Sequence, residues 1–373
     1  MRNNNIDEVI AKVAAKLRRT VPEAAKNHNV PYASRDGKWV ESPWNLGNSW
    51  WTAGFWPGMM WLMNALAPDE IFRNEALRTT ELMTEEFRVY RHLNHDVGFM
   101  YLLSCGAKHK IDGDEQAKWD TLHAASLLMG RFNPTTTPRA GYIKAWDGKD
   151  YAIIDCMMNL PLLYRASRET GDPRFAAVAR IHADTAKKHF VREDGSCRHI
   201  VEFDPATGAF VREHGGQGCC EGSSWSRGQA WALYGFTLLA MNTGEPRDLA
   251  TAEKIAQYFA ANIREDGLTD CDFRQPKDVY RLDNVAGACA CCGFLELAKL
   301  TGKAEYQAAA EKLLDGLIDH CVDFGDKYCG LLTHCTAAYH DDNVGTHTNI
   351  TYGDYFFVEA LCKLKDVDPM LWI

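Results

Sequence analysis

The sequence has no apolar run approaching the ~18–20 residues that cross a bilayer, so no membrane-spanning helix is expected. It has no surplus of positive charge. The 41 lysines and arginines stand against 50 aspartates and glutamates, a net charge of −9. Nucleic acids are bound chiefly through neutralised phosphates, so this balance argues against such a partner. No low-complexity tract and no strong linker interrupts the 373 residues, and one domain over 1–373 is expected. The stretch "MRNNNIDEVIAKVAAKLRRT" lacks the apolar core and small-residue cleavage site of a signal peptide. It reads instead as an amphipathic helix with Ile6, Val9, Ile10, Val13 and Leu17 on one face. The 13 cysteines are odd in number and scattered through helix-like segments, so reduced thiols in a cytoplasmic setting are expected. The cluster Cys289, Cys291 and Cys292 reads as small residues of a buried helix, not as a metal site. No phosphate-binding glycine loop, dinucleotide fingerprint or Ser-His-Asp order is convincing.

What is present is a repeat. Residues 162–196, 238–268 and 296–331 each hold a helix, a Thr-Gly step or near equivalent, a second amphipathic helix and an acidic, glycine-containing loop; 61–87 is a weaker copy broken at Pro68. Gly171, Gly244 and Gly302 fit helix C-caps. About six helix pairs emerge. One set is amphipathic: 6–18, 69–90, 114–131, 173–190, 249–264 and 303–321. The alternating set is more apolar: 51–66, 97–106, 153–168, 226–242, 285–301 and 350–365. Stacked pairs with one apolar and one amphipathic helix predict an all-α fold, an (α/α)6 barrel with the apolar set as the inner ring.

The loops that enter the inner helices are unusual. They read "NSWWTAGFWPG" (48–58), "NHDVGFMY" (94–101), "YIKAWDGKDYAIIDCMMN" (142–159), "GGQGCCEGSSWSRGQAW" (215–231) and "THTNITYGDYFF" (346–357). A closed ring brings them to one mouth, with Trp50, Trp51, Phe55, Trp146, Trp225 and Tyr352 as an aromatic pocket suited to sugar rings. Asp96 and Asp155 each start an inner helix. Either alone reads equally well as an N-cap. Together, beside an aromatic pocket, they suggest acid/base chemistry on a carbohydrate. The apolar wall of Ile153, Ile154, Met157 and Met158, and a second carboxylate nearby, would both raise the pKa of Asp155, as a general acid requires. His95, His199 and His214 are candidates for substrate hydroxyls. Arg227 opens an apolar helix and needs an anion, either Glu221 or a substrate carboxylate.

With these residues in place, "NHDVGFMY", "IIDCMMNLPLLYRAS", "SWSRGQAWALYGF" and "YGDYFFVEAL" resemble the unsaturated glucuronyl hydrolases of glycoside hydrolase family 88, from about residue 44 onward. The resemblance implies an (α/α)6 barrel and a substrate left by polysaccharide lyases, an oligosaccharide (disaccharide) ending in a 4,5-unsaturated uronic acid. It implies hydration of the C4=C5 bond, with Asp155 as general acid/base and Asp96 orienting substrate and raising the pKa of Asp155. Trp51, Phe55, Trp146 and Trp225 match aromatic walls of the sugar site. His199 and Gln217 match contacts to the sugar and the reacting water, and Arg227 matches a polar group of the pocket that could face the uronate carboxylate. Hydration needs acid/base groups and water, so neither metal nor organic cofactor is implied. The oligomeric state is not legible.

One departure is Gly216, where the family pattern often has histidine before the glutamine. The contact is either missing or supplied by His214. The loop "THCTAAYHDDNVGTHTN" (333–349) holds no Lys or Arg, and Asp341 and Asp342 make it acidic, so weaker preference for heavily sulfated disaccharides is expected. Three alternatives stay open: an unsaturated rhamnogalacturonyl hydrolase, a sugar 2-epimerase, and a carbohydrate-binding scaffold without catalysis.

Overall fold

The computed structural model describes residues 5–26, 29–42, 46–341 and 345–373. Thirteen helices among them follow in chain order: α1 (Ile6–Ala25), α2 (Phe55–Leu66), α3 (Glu70–Val89), α4 (Val97–Tyr101), α5 (Cys105–Asp112), α6 (Glu115–Gly130), α7 (Leu160–Thr170), α8 (Pro173–His189), α9 (Ser226–Thr243), α10 (Pro246–Ala261), α11 (Asn284–Thr301), α12 (Ala304–His320) and α13 (Thr351–Leu364). They form an (α/α)6 barrel. The inner ring is α2, α4–α5, α7, α9, α11 and α13, and the outer helices are α3, α6, α8, α10, α12 and α1. Among the described residues no helix is long and apolar enough to cross a membrane.

Local signals set the helix ends. Asp69, Asp114, Asp172 and Asp283 cap α3, α6, α8 and α11 by accepting from backbone N–H groups that have no partner within the helix. Gly171, Gly244 and Gly302 end α7, α9 and α11 in the left-handed conformation, as the repeat predicts.

Two inner helices are less regular than expected. The segment 97–106 is broken into α4 and α5 at Leu102–Ser104, where Ser104 leaves helical geometry and its hydroxyl donates to the Met100 carbonyl. The segment 153–168 opens as a strand and a 3₁₀ turn (Ile154–Met158). Pro161 lacks the N–H that an α-helix would pair with Met157, so regular helix starts only at Leu160.

The ring closes on an aromatic axis. Phe55 meets Phe99 at 5.3 Å, Phe99 meets Trp231 at 5.2 Å, Trp231 meets Phe356 at 5.5 Å, and Phe356 returns to Phe55 at 5.6 Å. These rings come from α2, α4, α9 and α13, and Trp372 stacks beneath them on Phe356. Each is fully or almost fully buried, and burial of such a side chain is worth about 1.5–3 kcal/mol. The barrel is therefore filled at its centre and open only at the mouth. A single ammonium, Lys363 on α13, fastens the other end to Glu296 of α11, Glu359 and Asp368, all out of solvent.

Short strands, which the helical repeat did not announce, decorate the mouth. The strand Tyr151–Ile153 pairs antiparallel with Ile200–Phe203, which pairs with Phe210–His214.

Candidate active site

A cavity of about 430 Å³ opens at the mouth above the aromatic axis. Asp155 reaches it from the 3₁₀ turn after the strand Tyr151–Ile153. The register Ile153↔Ile200, with Ile154 N–H donating to the His199 carbonyl, lays His199 alongside. His199 Nε2 stands 3.7 Å from Asp155 Oδ2. The other imidazole nitrogen, Nδ1, accepts from the Gln217 backbone N–H at 3.0 Å. With Nδ1 accepting from Gln217, the tautomer this contact favours carries its proton on Nε2, on the side of the carboxyl. Burial holds His199 down to about 3, so it stays neutral.

Asp96 comes from the start of α4, but its side chain caps nothing. Its Oδ1 accepts from Asn159 Nδ2 at 3.4 Å, and Oδ2 stands 3.5 Å from His95 Nε2. Asn159 is the link between the two carboxylate-bearing segments. Its amide nitrogen also donates to the Asp155 carbonyl at 3.2 Å, and its oxygen accepts from Phe99 N–H at 2.7 Å. Gly98 permits this approach, since a Cβ there would meet Asn159 Oδ1 at 2.5 Å. Sequence reasoning passed over Asn159; its signal is a lone amide ending an apolar run.

The two carboxyls differ from solvent-exposed aspartates. Asp155 is 13% exposed at its side chain, its Oδ2 has no hydrogen-bond partner, and burial pushes it up from 3.8 to about 7. Burial also raises Asp96 well above its ordinary range, and the charge of Asp155 adds to that. Both carboxyls thus favour the protonated form more than an exposed aspartate does. The apolar wall raises Asp155 as expected, and the repulsion between the two carboxyls is mutual and belongs to the pair.

Trp50, Trp51, Trp146, Tyr352, His95 and Gln217 line the cavity with the groups above, and Tyr32, Asn94 and Asp341 join them without having been singled out as wall residues. Asp342 lies outside the described residues. Phe55, Trp225 and Arg227 do not reach the cavity. Phe55 lies behind Trp51 and Tyr352, at 6.1 and 5.8 Å between rings. Trp225 backs His199 at 4.3 Å. Arg227 is fully buried. Its anion is Asp283 at the start of α11, not Glu221 or a substrate, and it also donates to the Thr336 and Ala337 carbonyls.

His214 does not replace the family histidine at 216. It pairs with Glu202 at 2.9 Å and packs on Tyr151. Gly216 has φ +57, and a Cβ there would lie 2.1 Å from His199 Nδ1, so no side chain fits while His199 holds this position. Among the described residues no group of three or more His, Cys, Asp or Glu is arranged to hold a metal ion. Cys291 and Cys292 are buried and donate to the Ala310 and Phe356 carbonyls.

The family model of Glycosyl Hydrolase Family 88 matches residues 24–327. The chain belongs to this family. It is a glycoside hydrolase. The unsaturated glucuronyl hydrolase of Bacillus sp. (strain GL1) is 36% identical over 334 residues, covering 85% of this chain and 87% of that protein. The unsaturated chondroitin disaccharide hydrolase of Streptococcus pneumoniae is 31% identical over 341 residues, with 88% and 85% covered. The crystal structure of the Bacillus sp. GL1 unsaturated glucuronyl hydrolase, described as responsible for glycosaminoglycan degradation, matches with a TM-score of 0.90 at 32% identity over 99% of both chains.

Two outcomes follow for this family 88 chain. Arg227→Met leaves Asp283 buried without its cation and lowers unfolding stability by about 3–5 kcal/mol in urea titration; a raised KM with an unchanged melting point would instead place Arg227 on the substrate. Asp155 is protonated in the folded state between its ordinary 3.8 and about 7, where the unfolded chain has released the proton. Stability thus falls as pH rises through that window. Asp155→Asn removes this burden, so its melting temperature exceeds wild type by about 2–4 °C at pH 8, with the gain vanishing near pH 4. An equal gain at both pH values would rule out ionisation as the cause.

Proposed function

We infer that this enzyme removes the 4,5-unsaturated uronic acid from the non-reducing end of lyase-made glycosaminoglycan oligosaccharides by hydrating its C4=C5 bond. The observation that carries this reading is the buried carboxyl of Asp155, whose Oδ2 has no hydrogen-bond partner, poised near neutrality at the floor of an aromatic cavity. A general acid works best when its pKa lies near the working pH. Family membership and the relatives named above supply the substrate class.

In the proposed reaction Asp155 gives its proton to C4, and the π electrons of the enol ether form the new C–H bond. Positive charge develops at C5 and the ring oxygen. Water adds at C5 and returns its proton to the Asp155 carboxylate. The resulting C5 hemiketal opens to a ketone and leaves a hemiacetal at C1, which collapses to the aldehyde and expels the aglycone as its alcohol without further help. Asp96, neutral beside it, acts as a hydrogen-bond donor that positions the sugar. His95 lies against Asp96, and Gln217 and the Nε2–H of His199 are placed to hold the incoming water or a hydroxyl. Trp51, Trp146 and Tyr352 offer ring faces to the sugar. Phe55, Trp225 and Arg227 support these groups from behind.

The thirteen cysteines are free thiols, all but Cys219 and Cys220 buried or nearly so, which supports a reducing cytoplasmic setting. Among the described residues the cavity carries Asp341 and no lysine or arginine, which supports a preference for unsulfated aglycones.

Incubation with unsaturated hyaluronan and chondroitin disaccharides, followed by the ultraviolet absorbance of the conjugated uronate, tests the reaction. The wild type abolishes the absorbance, and Asp155→Asn does so about 10²–10⁴-fold more slowly. For the wild type, kcat declines about tenfold per pH unit above pH ~7, as the acid form of Asp155 is lost. Persistence of the signal on every glycosaminoglycan disaccharide, with loss on pectin-derived fragments, would transfer the activity to rhamnogalacturonyl substrates. For sulfation, kcat/KM on the 6-sulfated chondroitin disaccharide is about 3- to 10-fold below that on the unsulfated one; the reverse order would remove any role for Asp341 in charge selection.

A further inference from the structure

The active cavity does not end at its aromatic rim. Trp50, Asn94 and Trp146 line it on one side and on the other side line a second, more open groove of about 1090 Å³. This groove is bounded by the end of α3 and by α6. Phe87, Tyr90, His92 and His123 give it aromatic walls, and Arg131, paired with Asp147, closes it.

Tyr90 is the unusual member. Helices α5, α7, α9 and α11 all end on glycines in the left-handed conformation, Gly113, Gly171, Gly244 and Gly302. Helix α3 ends in the same conformation on a tyrosine, with φ +53, and His92 two residues on has φ +59. A side chain is disfavoured there, so local folding does not explain an aromatic at this position. The ring gains little from packing either. It is 61% exposed and touches Phe87 only edge-on at 6.0 Å. Phe87 in turn stacks on His123 at 6.1 Å, which makes one continuous aromatic strip.

We propose that this groove is a distal aglycone site that binds the third and fourth sugar rings of a lyase-made tetrasaccharide, with Tyr90 and His123 as its stacking faces. The inference rests on the reaction assigned above. The unsaturated ring must sit at the floor, against Asp155, so the remaining sugars leave through the mouth. One side of that mouth presents Asp341. The other opens past Trp50 and Trp146 into the groove, where, among the described residues, His92, His123 and Arg131 line the walls with Asp147 as the one acid. In a glycosaminoglycan the third ring is again a uronate. Its carboxylate is repelled on the Asp341 side and accommodated on the groove side. An exposed aromatic strip continuous with a sugar site is what successive pyranose faces need.

The test compares kcat/KM on unsaturated hyaluronan di- and tetrasaccharides for the wild type, Tyr90→Asn and His123→Ala. Asparagine tolerates the left-handed conformation, and His123 is exposed on α6, so neither change disturbs the fold. The wild type is expected to favour the tetrasaccharide about 3- to 10-fold. Each variant lowers the tetrasaccharide value towards that of the disaccharide and leaves the disaccharide value unchanged. Equal wild-type rates on both lengths, or a variant that lowers both alike, overturns the distal site while disaccharide turnover keeps the assigned reaction intact. No turnover of either substrate by the wild type overturns the assigned reaction and this inference with it.

Discussion

One guanidinium that never meets the cavity holds its walls together. Arg227 stands at the start of α9 between two aromatic faces, 4.6 Å from the ring of Trp225 and 5.4 Å from that of Tyr352. It joins α9 to Asp283 of α11 and to the carbonyls of Thr336 and Ala337 in the C-terminal loop. Everything it grips is one step from the cavity. Trp225 backs His199, Tyr352 is a wall, and Ala337 is a wall that also accepts from the Gln217 side chain. A planar, five-donor cation suits such a junction because it can satisfy an acid and two carbonyls in one plane while its faces stay apolar. A buried charge of this kind costs desolvation, so its use here buys position more than stability.

Burial does a second task a few ångströms away. The barrel interior is lined by Ile153, Ile154, Met157 and Met158, and no cation is paired with Asp155. The same apolar surroundings that fill the core set the proton affinity of the carboxyl. Asp96, buried beside it, is raised in the same way, so two acids in one apolar mouth both hold their protons more tightly than exposed aspartates do. Neutral His95 and His199 complete a site whose polar groups carry little charge until a proton moves. A site kept uncharged in an apolar barrel pays less for burial and responds more strongly to charge that develops during reaction.

The repeat was legible because helix pairs write themselves in period and punctuation. The Thr-Gly steps at Gly171 and Gly244 and the apolar content of α9 and α11 located inner and outer helices to within a few residues. Asp155, Asp96 and Trp51 were legible as candidates because they interrupt apolar or loop-like context at inner-helix starts, whereas His199 was marked only as a candidate histidine and through the family resemblance. Arg227, Phe55 and Trp225 carried the same signal and belong behind the wall. Sequence marks a polar or aromatic residue at a mouth, but not the side of the wall it faces. Tyr32 and the register of Tyr151–Ile153 on Ile200–Phe203 left no such mark, since they depend on contacts between segments far apart in the chain, and the amide of Asn159 marked only the end of an apolar run.

The irregularities of the inner ring explain where the chemistry sits. Regular inner helices such as α9 and α11 bury nearly every residue against neighbours and have no room to turn a carboxyl into the cavity. The two inner elements that carry Asp96 and Asp155 are the broken ones. The first breaks at Ser104, and Pro161 delays the second, leaving a strand and a 3₁₀ turn. The short strand then borrows precision from its partner, because a β register fixes Asp155 against His199 more tightly than a loop would. Asn159 ties the two irregular segments to each other through three hydrogen bonds. The barrel supplies depth and dryness, and the departures from its helical repeat supply the orientation of the acids.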